Sequence, residues 1–447
     1  MATDLEPRSD VAGAATEDWR VVAAGFLCIV FAFGVPTMVM PVIYSPIIDE
    51  FGWSRAQVTF VASLKFGAGA VFGIFFGALA DRFSIRKIVV VFSLVSIAAM
   101  VGFLWIETLW QFYAAGLVMG AGAIAVMIAV KVLVSQRFLH RQGFAIGAAL
   151  LGTSVAGSFT PLLATAMIAA YGWRMTVALL SSGIWLVAIP VFLWIVKEPD
   201  AADAAATAGA GPRPQPPNNP LAPAEMDFSA VLRSRSFWLV ALAVMLIGLA
   251  DQSMGQHLML YLERDVGFAR SIAATVLSAV FVVSIAGKLG FGWLYDKLSV
   301  KGVMWCYGLM AVAIVLAFSV QLLPMLVLFT VARGLAHGGA IVDIPVLSKH
   351  CFGPRVLGRT IGVLTACVAV GFAIGPPLVG YMYDTQGSYR NAFLLLIGVS
   401  VAAALTLLGV RATYRERVAE LGKAGLNEVG GTPAWVGAKP DLSGPSN

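Results

Sequence analysis

Charge is scarce in this sequence. Of its 447 residues, 12% are Asp, Glu, Lys or Arg, against about 25% in an average soluble domain. So few charges cannot coat a water-facing surface on a chain that is 59% apolar, which excludes an ordinary soluble enzyme and a disordered scaffold alike. Cysteine is scarce too. Cys28, Cys306, Cys351 and Cys367 show no close-paired spacing and three lie in apolar runs, so neither a disulfide framework nor a metal site is expected. There is no Gly-x-x-x-x-Gly-Lys-Ser/Thr loop to cradle phosphates, which argues against ATP-driven transport. No nucleophile-triad spacing is present, so the chain is expected to be no enzyme and to need no cofactor. The short alternating segments of a membrane β-barrel are missing as well.

What the sequence does have is length of apolar run. Twelve long stretches are centred near residues 33, 69, 96, 122, 155, 185, 249, 283, 311, 337, 368 and 400. Each approaches the ~20 residues that a helix needs to span a bilayer. The expected class is therefore an all-α membrane protein with 12 transmembrane helices. The first stretch, about 21–48, is too long for a signal-peptide core and lacks a basic leader, so it reads as a retained helix. With the N-terminus placed in the cytoplasm, 21 of the 30 Lys and Arg fall on the inner side and five on the outer side: Arg55, Arg174, Arg264, Arg270 and Arg390. Four lie within apolar runs: Lys65, Lys131, Lys288 and Arg333. Positive charge gathers on the cytoplasmic side of membrane proteins, so both termini are expected there. The same bias accounts for the net charge of +6 without a nucleic-acid partner. The expected setting is a bacterial inner (plasma) membrane, crossed many times, with a monomer as the functional unit.

The chain also repeats itself. Gly77-Ala-Leu-Ala-Asp81-Arg82-Phe-Ser84-Ile-Arg86 returns 215 residues later as Gly292-Trp-Leu-Tyr-Asp296-Lys297-Leu-Ser299-Val-Lys301. At the same offset, Glu50-Phe-Gly52-Trp53-Ser-Arg55 matches Asp265-Val-Gly267-Phe268-Ala-Arg270, and Pro161 matches Pro376. One offset at several places implies two six-helix halves, arranged as parallel repeats about an axis along the membrane normal. The expected divisions are a cytoplasmic segment 1–20, a first bundle 21–196, a Pro- and Ala-rich cytoplasmic linker 197–235, a second bundle 236–410 and a cytoplasmic tail 411–447.

Two six-helix halves with Gly-x-x-x-Asp-Arg after the second stretch and Gly-x-x-x-Asp-Lys after the eighth resemble the major facilitator superfamily. Ser84 and Ser299 stand where that loop usually has glycine. Glu50-Phe51-Gly52-Trp53-Ser54-Arg55-Ala56 more narrowly resembles the monocarboxylate transporter and oxalate/formate antiporter branch. Animal monocarboxylate carriers have a lysine after the first-helix proline, where Thr37 follows Pro36 here; they also have an acid one turn before an eighth-helix arginine, where Ser284 precedes Lys288 here. The resemblance implies a secondary carrier working by alternating access. It also implies a gating role for the loop: Asp81, Arg82, Arg86, Asp296 and Lys297 would form a latch at the inner end. A tight turn obeying the charge bias is the plainer reading of the same residues.

Ionisable groups inside spanning helices cost roughly 2.5–3.5 kcal/mol each on insertion scales and usually mark a pathway. Counting ~1.5 Å per residue along a helix places Lys65, Asp251, Lys288 and Arg333 in the central zone of the bilayer. Lys288 and Arg333 have apolar or small counterparts in the first half. Broken symmetry at that depth is what a specific ligand requires, and cations there point to an anion. The expected substrate-binding residues are Lys288, Arg333, Lys65, Gln252, Gln256 and His337. For the cations, the alternative is a pair with Asp251 or Asp343 that only neutralises the cavity. Asp251 is the expected proton-coupling group, or else a structural partner of a cation. His257 reads as an interfacial residue and Asp343, just before Pro345, as a latch partner nearer the inner end. The function these features favour is proton-coupled symport of a small organic anion: a mono- or dicarboxylate, or an aromatic acid. Carboxylate exchange, drug or metabolite efflux and a transporter-like sensor are the alternatives.

Overall fold

The computed structural model describes residues 9–138, 142–196, 227–354 and 356–416; within them, the side chains of 9–18, 70, 72–78, 80–81, 136 and 142–144 lie outside the description. The described residues form helices and their connecting turns, with no strand among them. In chain order the long helices are α1 (Trp19–Phe51), α2 (Arg55–Arg82), α3 (Ile85–Gly102), α4 (Leu109–Arg137), α5 (142–171), α6 (173–195), α7 (Arg235–Asp265), α8 (Arg270–Leu298), α9 (Val300–Ala317), α10 (Leu323–Phe352), α11 (Leu357–Gln386) and α12 (Arg390–Glu416). Among the described residues, ten helical runs are long and apolar enough to cross a membrane. The run Ala145–Ile195 holds both α5 and α6. Inside it Gly172 takes φ +75°, a left-handed conformation that turns the chain between the two arms.

The helix boundaries follow from local chemistry. Gly52, at φ +66°, closes α1, and Ser54 then opens α2: its hydroxyl accepts from the Gln57 N–H while Gln57 reaches back to the Ser54 N–H. Thr108 and Gln111 build the same reciprocal cap on α4. The two loop serines, 215 residues apart, are built differently. Ser84 is extended and caps α3, whereas Ser299 takes φ +53° between α8 and α9. That angle suits the glycine usual in this loop better than a serine.

The two halves meet along three seams. α2 packs on α11, α5 on α8, and α1 on α7. The 215-residue offset carries α2 onto α8 and α5 onto α11, so the first two seams are images of each other. Close approach depends on small residues: a Cβ on Gly380 would lie 2.6 Å from the Ala56 Cα, and one on Gly157 would lie 2.2 Å from the Phe281 ring.

Candidate binding site between the halves

The charges placed at mid-depth fall into three groups. The first lies inside the second half. Arg333 on α10 is 2% exposed and Asp251 on α7 is 6% exposed, so neither is solvated by water. Arg333 donates from Nη1 to Asp251 Oδ1 at 2.7 Å and from Nη2 to the Asp251 backbone carbonyl at 2.9 Å. His337, one turn on, places Nδ1 at 2.9 and 3.0 Å from the two carboxylate oxygens. The edge of Phe281 covers the imidazole, with ring centroids 5.2 Å apart. Breaking such a buried pair on one side leaves an uncompensated charge, which is the costly event. Of the two readings of Arg333, this form holds the carboxylate pair.

The second group crosses the seam between α8 and α5. Lys288 donates to Thr153 Oγ1 at 2.9 Å and approaches the Leu150 carbonyl at 3.4 Å. One turn earlier, Ser284 Oγ lies 2.8 Å from Ser154 Oγ across the same seam. Lys288 has no carboxylate partner among the described residues.

The third group surrounds a small cavity where α1, α2, α4 and α7 converge, lined in part by Met40, Tyr44, Lys65, Met119 and Gln256. Lys65 is 3% exposed. Its stem lies against Gly120, where a Cβ would approach Lys65 Cγ to 2.1 Å. Its ammonium is 4.8 Å from the centre of the Phe66 ring and has no hydrogen-bond acceptor among the described residues. Tyr44 donates to Gln256 Oε1 at 2.6 Å, so the cavity wall itself joins the halves. Gln252, one turn from Gln256, is half-buried and makes no hydrogen bond among the described residues.

Cross-half bonds also concentrate at the 51–55 end of α1 and α2. Arg55 pairs with Asp265 at 2.7 Å and stacks its guanidinium 3.5 Å over the Tyr383 ring. Asp384, at the end of α11, accepts from the Arg55 and Ala56 N–H groups at 3.0 and 2.8 Å. This carboxylate therefore satisfies open donors at the start of α2 and complements the helix dipole. Arg264 donates to Ser45 Oγ at 2.8 Å and pairs with Asp49.

The opposite end is different. Arg82, Asp296 and Lys297 are exposed. Arg86 donates to the Leu193 carbonyl at 3.0 Å, within its own half, and Lys297 stands 3.9 Å over the Trp293 ring. The Asp81 side chain lies outside the described residues. Among the described residues, no hydrogen bond or ion pair joins the halves at this end.

Two expectations need correction. His257 is 1% exposed, not interfacial: it joins the Tyr389 hydroxyl at 2.9 Å and the Pro376 carbonyl at 2.8 Å, tying α7 to α11. Asp343 meets no cation among the described residues. It is buried inside the second half and accepts from the Tyr307 hydroxyl at 2.6 Å. Tyr44, Thr153 and Asp384 went unsingled in the sequence. A tyrosine in an apolar run is a legible signal, because a buried hydroxyl needs a partner, but nothing in the run says that the partner is Gln256.

The profile of the Major Facilitator Superfamily matches residues 25–299 and 258–441. The chain belongs to that superfamily. Human monocarboxylate transporter 12 is 31% identical over 190 residues, covering 41% of this chain and 36% of that protein. Bovine monocarboxylate transporter 13 is 24% identical over 397 residues, covering 88% and 87%. Among solved structures, a bacterial homolog of the human lysosomal transporter Spinster, inward-facing and unoccupied, superposes with a TM-score of 0.67 at 18% identity over 92% of this chain and 98% of that one. The nucleoside transporter NupG gives 0.68 at 13% over 88% and 99%. At these identities the two structures establish the fold alone. The chain is thus an integral, multi-pass membrane protein of a transporter superfamily, related to monocarboxylate transporters.

Proposed function

We propose that this protein is a secondary carrier that moves a small organic anion through the membrane by alternating access, coupled to protons. The proposal includes twelve crossings in two bundles, 21–196 and 236–410, with both termini, the linker and the tail in the cytoplasm. It also includes a bacterial inner membrane as the location and a monomer as the working unit. The observation that carries it is Lys65: an ammonium 3% exposed, at a narrow gap where the halves meet, with no acceptor among the described residues. A buried cation without a counter-charge is costly, and an entering carboxylate relieves that cost. Lys288, held only by a hydroxyl and a carbonyl, is the second cation open to an anion. Arg333 is paired with Asp251, its Nε left without an acceptor among the described residues, and becomes free when a proton takes its place on that carboxylate. In this scheme the proton and Arg333 compete for the Asp251 carboxylate, so proton binding frees the cation for the substrate and the two are carried together. Excess positive charge in the cavity disfavours efflux of cationic drugs.

The bonds at the 51–55 end hold one side together, which the charge bias makes the outer one. The Tyr44–Gln256 bond across the cavity wall lets an anion at Lys65 act on the contact between the halves. The deciding experiment is uptake of a panel of radiolabelled carboxylates by proteoliposomes bearing the wild-type protein, K65Q or K65R. K65Q is expected to lose at least ten-fold in uptake of the acid that the wild type accumulates, with K65R losing less. Equal uptake by wild type and K65Q would remove Lys65 from the pathway and the proposal with it. Counterflow without accumulation under an inward proton gradient would replace symport by exchange.

A further inference from the structure

Asp343 takes no part in the scheme above, yet it is a carboxyl group deep in the second half. It is 1% exposed. Three helices enclose it: its own α10, α9 through Tyr307 and Cys306, and α8 through Tyr295. The Tyr307 hydroxyl donates to Oδ2 at 2.6 Å, while Oδ1 has no partner among the described residues. The Tyr295 hydroxyl beside it is buried and is directed to the Cys306 sulfur rather than to Asp343. Cys306 donates its thiol to the Ala336 carbonyl at 3.4 Å and so faces away as a donor. No Lys, Arg or His forms an ion pair with Asp343 among the described residues. The other charge that acts on it through space is that of Asp251 on α7, which has the same sign. The two acids are therefore served unequally: Asp251 has an arginine and a histidine, Asp343 only neutral donors, the Tyr307 hydroxyl and the backbone N–H groups of Asp343 and Ile344.

We propose that Asp343 is a second proton-binding site of the carrier. A carboxylate in such a place loses its hydration and gains only neutral donors in return, whereas the proton removes the charge and supplies Oδ1 with a hydrogen. Asp251 answers to cations; Asp343 answers to protons alone. The site is positioned for coupling because α10 carries Asp343 together with Arg333 and His337, so its proton is felt by the helix that holds the substrate-responsive pair. Its link to transport rests on the carrier reading above; the presence of the proton does not.

Infrared difference spectroscopy of the purified protein, titrated across neutral pH, separates the two. The wild type is expected to show the carbonyl stretch of a protonated carboxylic acid; D343N is expected to lose it, and Y307F, which keeps the acid but removes its hydroxyl donor, to shift it. In proteoliposomes D343N is expected to retain counterflow but to lose at least ten-fold in accumulation driven by a pH gradient. A protonated-acid band that neither D343N nor Y307F alters would overturn the site, and Y307F decides this even where D343N does not fold. A band assigned to Asp343 combined with wild-type accumulation by D343N would overturn its role in coupling. Failure of the wild type to move any acid would instead count against the carrier, leaving the spectroscopic result to stand.

Discussion

The two lateral seams are built from one pattern and finished differently. In the seam between α2 and α11, Phe66 and Phe372 meet edge to face, with ring centroids 5.0 Å apart. At the 215-residue offset these positions become Phe281 and Gly157 in the seam between α8 and α5. The missing side chain at Gly157 lets the Phe281 ring lie against the glycine backbone and cover His337. Polar groups diverge in the same way. Ser63 donates to the Ala373 carbonyl in the first seam, but its image Ser278 has no partner among the described residues. Lys288 crosses the second seam, and its image in the first is Gly73. The lesson is that the repeat fixes how the halves pack, while the departures from it collect where charge must be handled. A seam that had only to hold the halves together would have no reason to depart from its image.

The comparison can be broken most forcefully at the charge it protects. Replacing Arg333 by methionine strands Asp251 without its main counter-charge, and the expected loss is about 3–5 kcal/mol of stability. Thermal unfolding in detergent reads this, and the double variant R333M/D251N should recover a large part of it. Full stability in R333M alone would mean that His337 suffices for Asp251. Next comes the seam itself. G157A puts a Cβ where the Phe281 ring lies, at 2.2 Å, and overpacking of this kind costs about 1–3 kcal/mol. The same variant should slow transport by displacing the cover of His337, whereas F372A, at the image position, should leave His337 undisturbed. The smallest effect is expected at the closed end. D384N weakens the charge that caps α2, worth about 0.5–1 kcal/mol, too little to unfold the protein but enough to shift a two-state balance several-fold. Labelling of a cysteine introduced at Gln57 from the outer side should rise in D384N; unchanged labelling would mean that the Arg55–Asp265 pair closes this end by itself.

Much of the fold was legible because lipid imposes few solutions. A backbone in hydrocarbon must satisfy its own hydrogen bonds, so apolar length translates into helix. The repeat could be read from the Asp81 and Asp296 loops and the Glu50 and Asp265 heptads, since turns and caps are local. The placing of Lys65, Asp251, Lys288 and Arg333 inside long helices followed from counting along the sequence. Which of them meet did not. Arg333 lies 82 residues from Asp251, and Lys288 lies 135 from Thr153; nothing in either helix alone decides between pairing and waiting for a ligand. The reading of Asp343 as a latch partner failed for the same reason. Its depth was counted toward one end, but Tyr307, on another helix, decides what it faces. The loop residues Arg82, Asp296 and Lys297 were read as a latch at the inner end or as a plain tight turn, and here they stand exposed.

By itself, then, the order of residues determined that this chain is built of membrane-spanning helices, that its pattern repeats at an offset of 215 residues, and that a few charges lie inside those helices. Those are consequences of local hydrogen bonding and of transfer from water to lipid, which act residue by residue. Only the assembled helices decided that Arg333 is taken by Asp251 and that, among the described residues, Lys65 has no acceptor and Asp343 no counter-ion. Electrostatic pairing depends on a few ångströms between segments distant in the chain, and that separation exists only once the helices have packed.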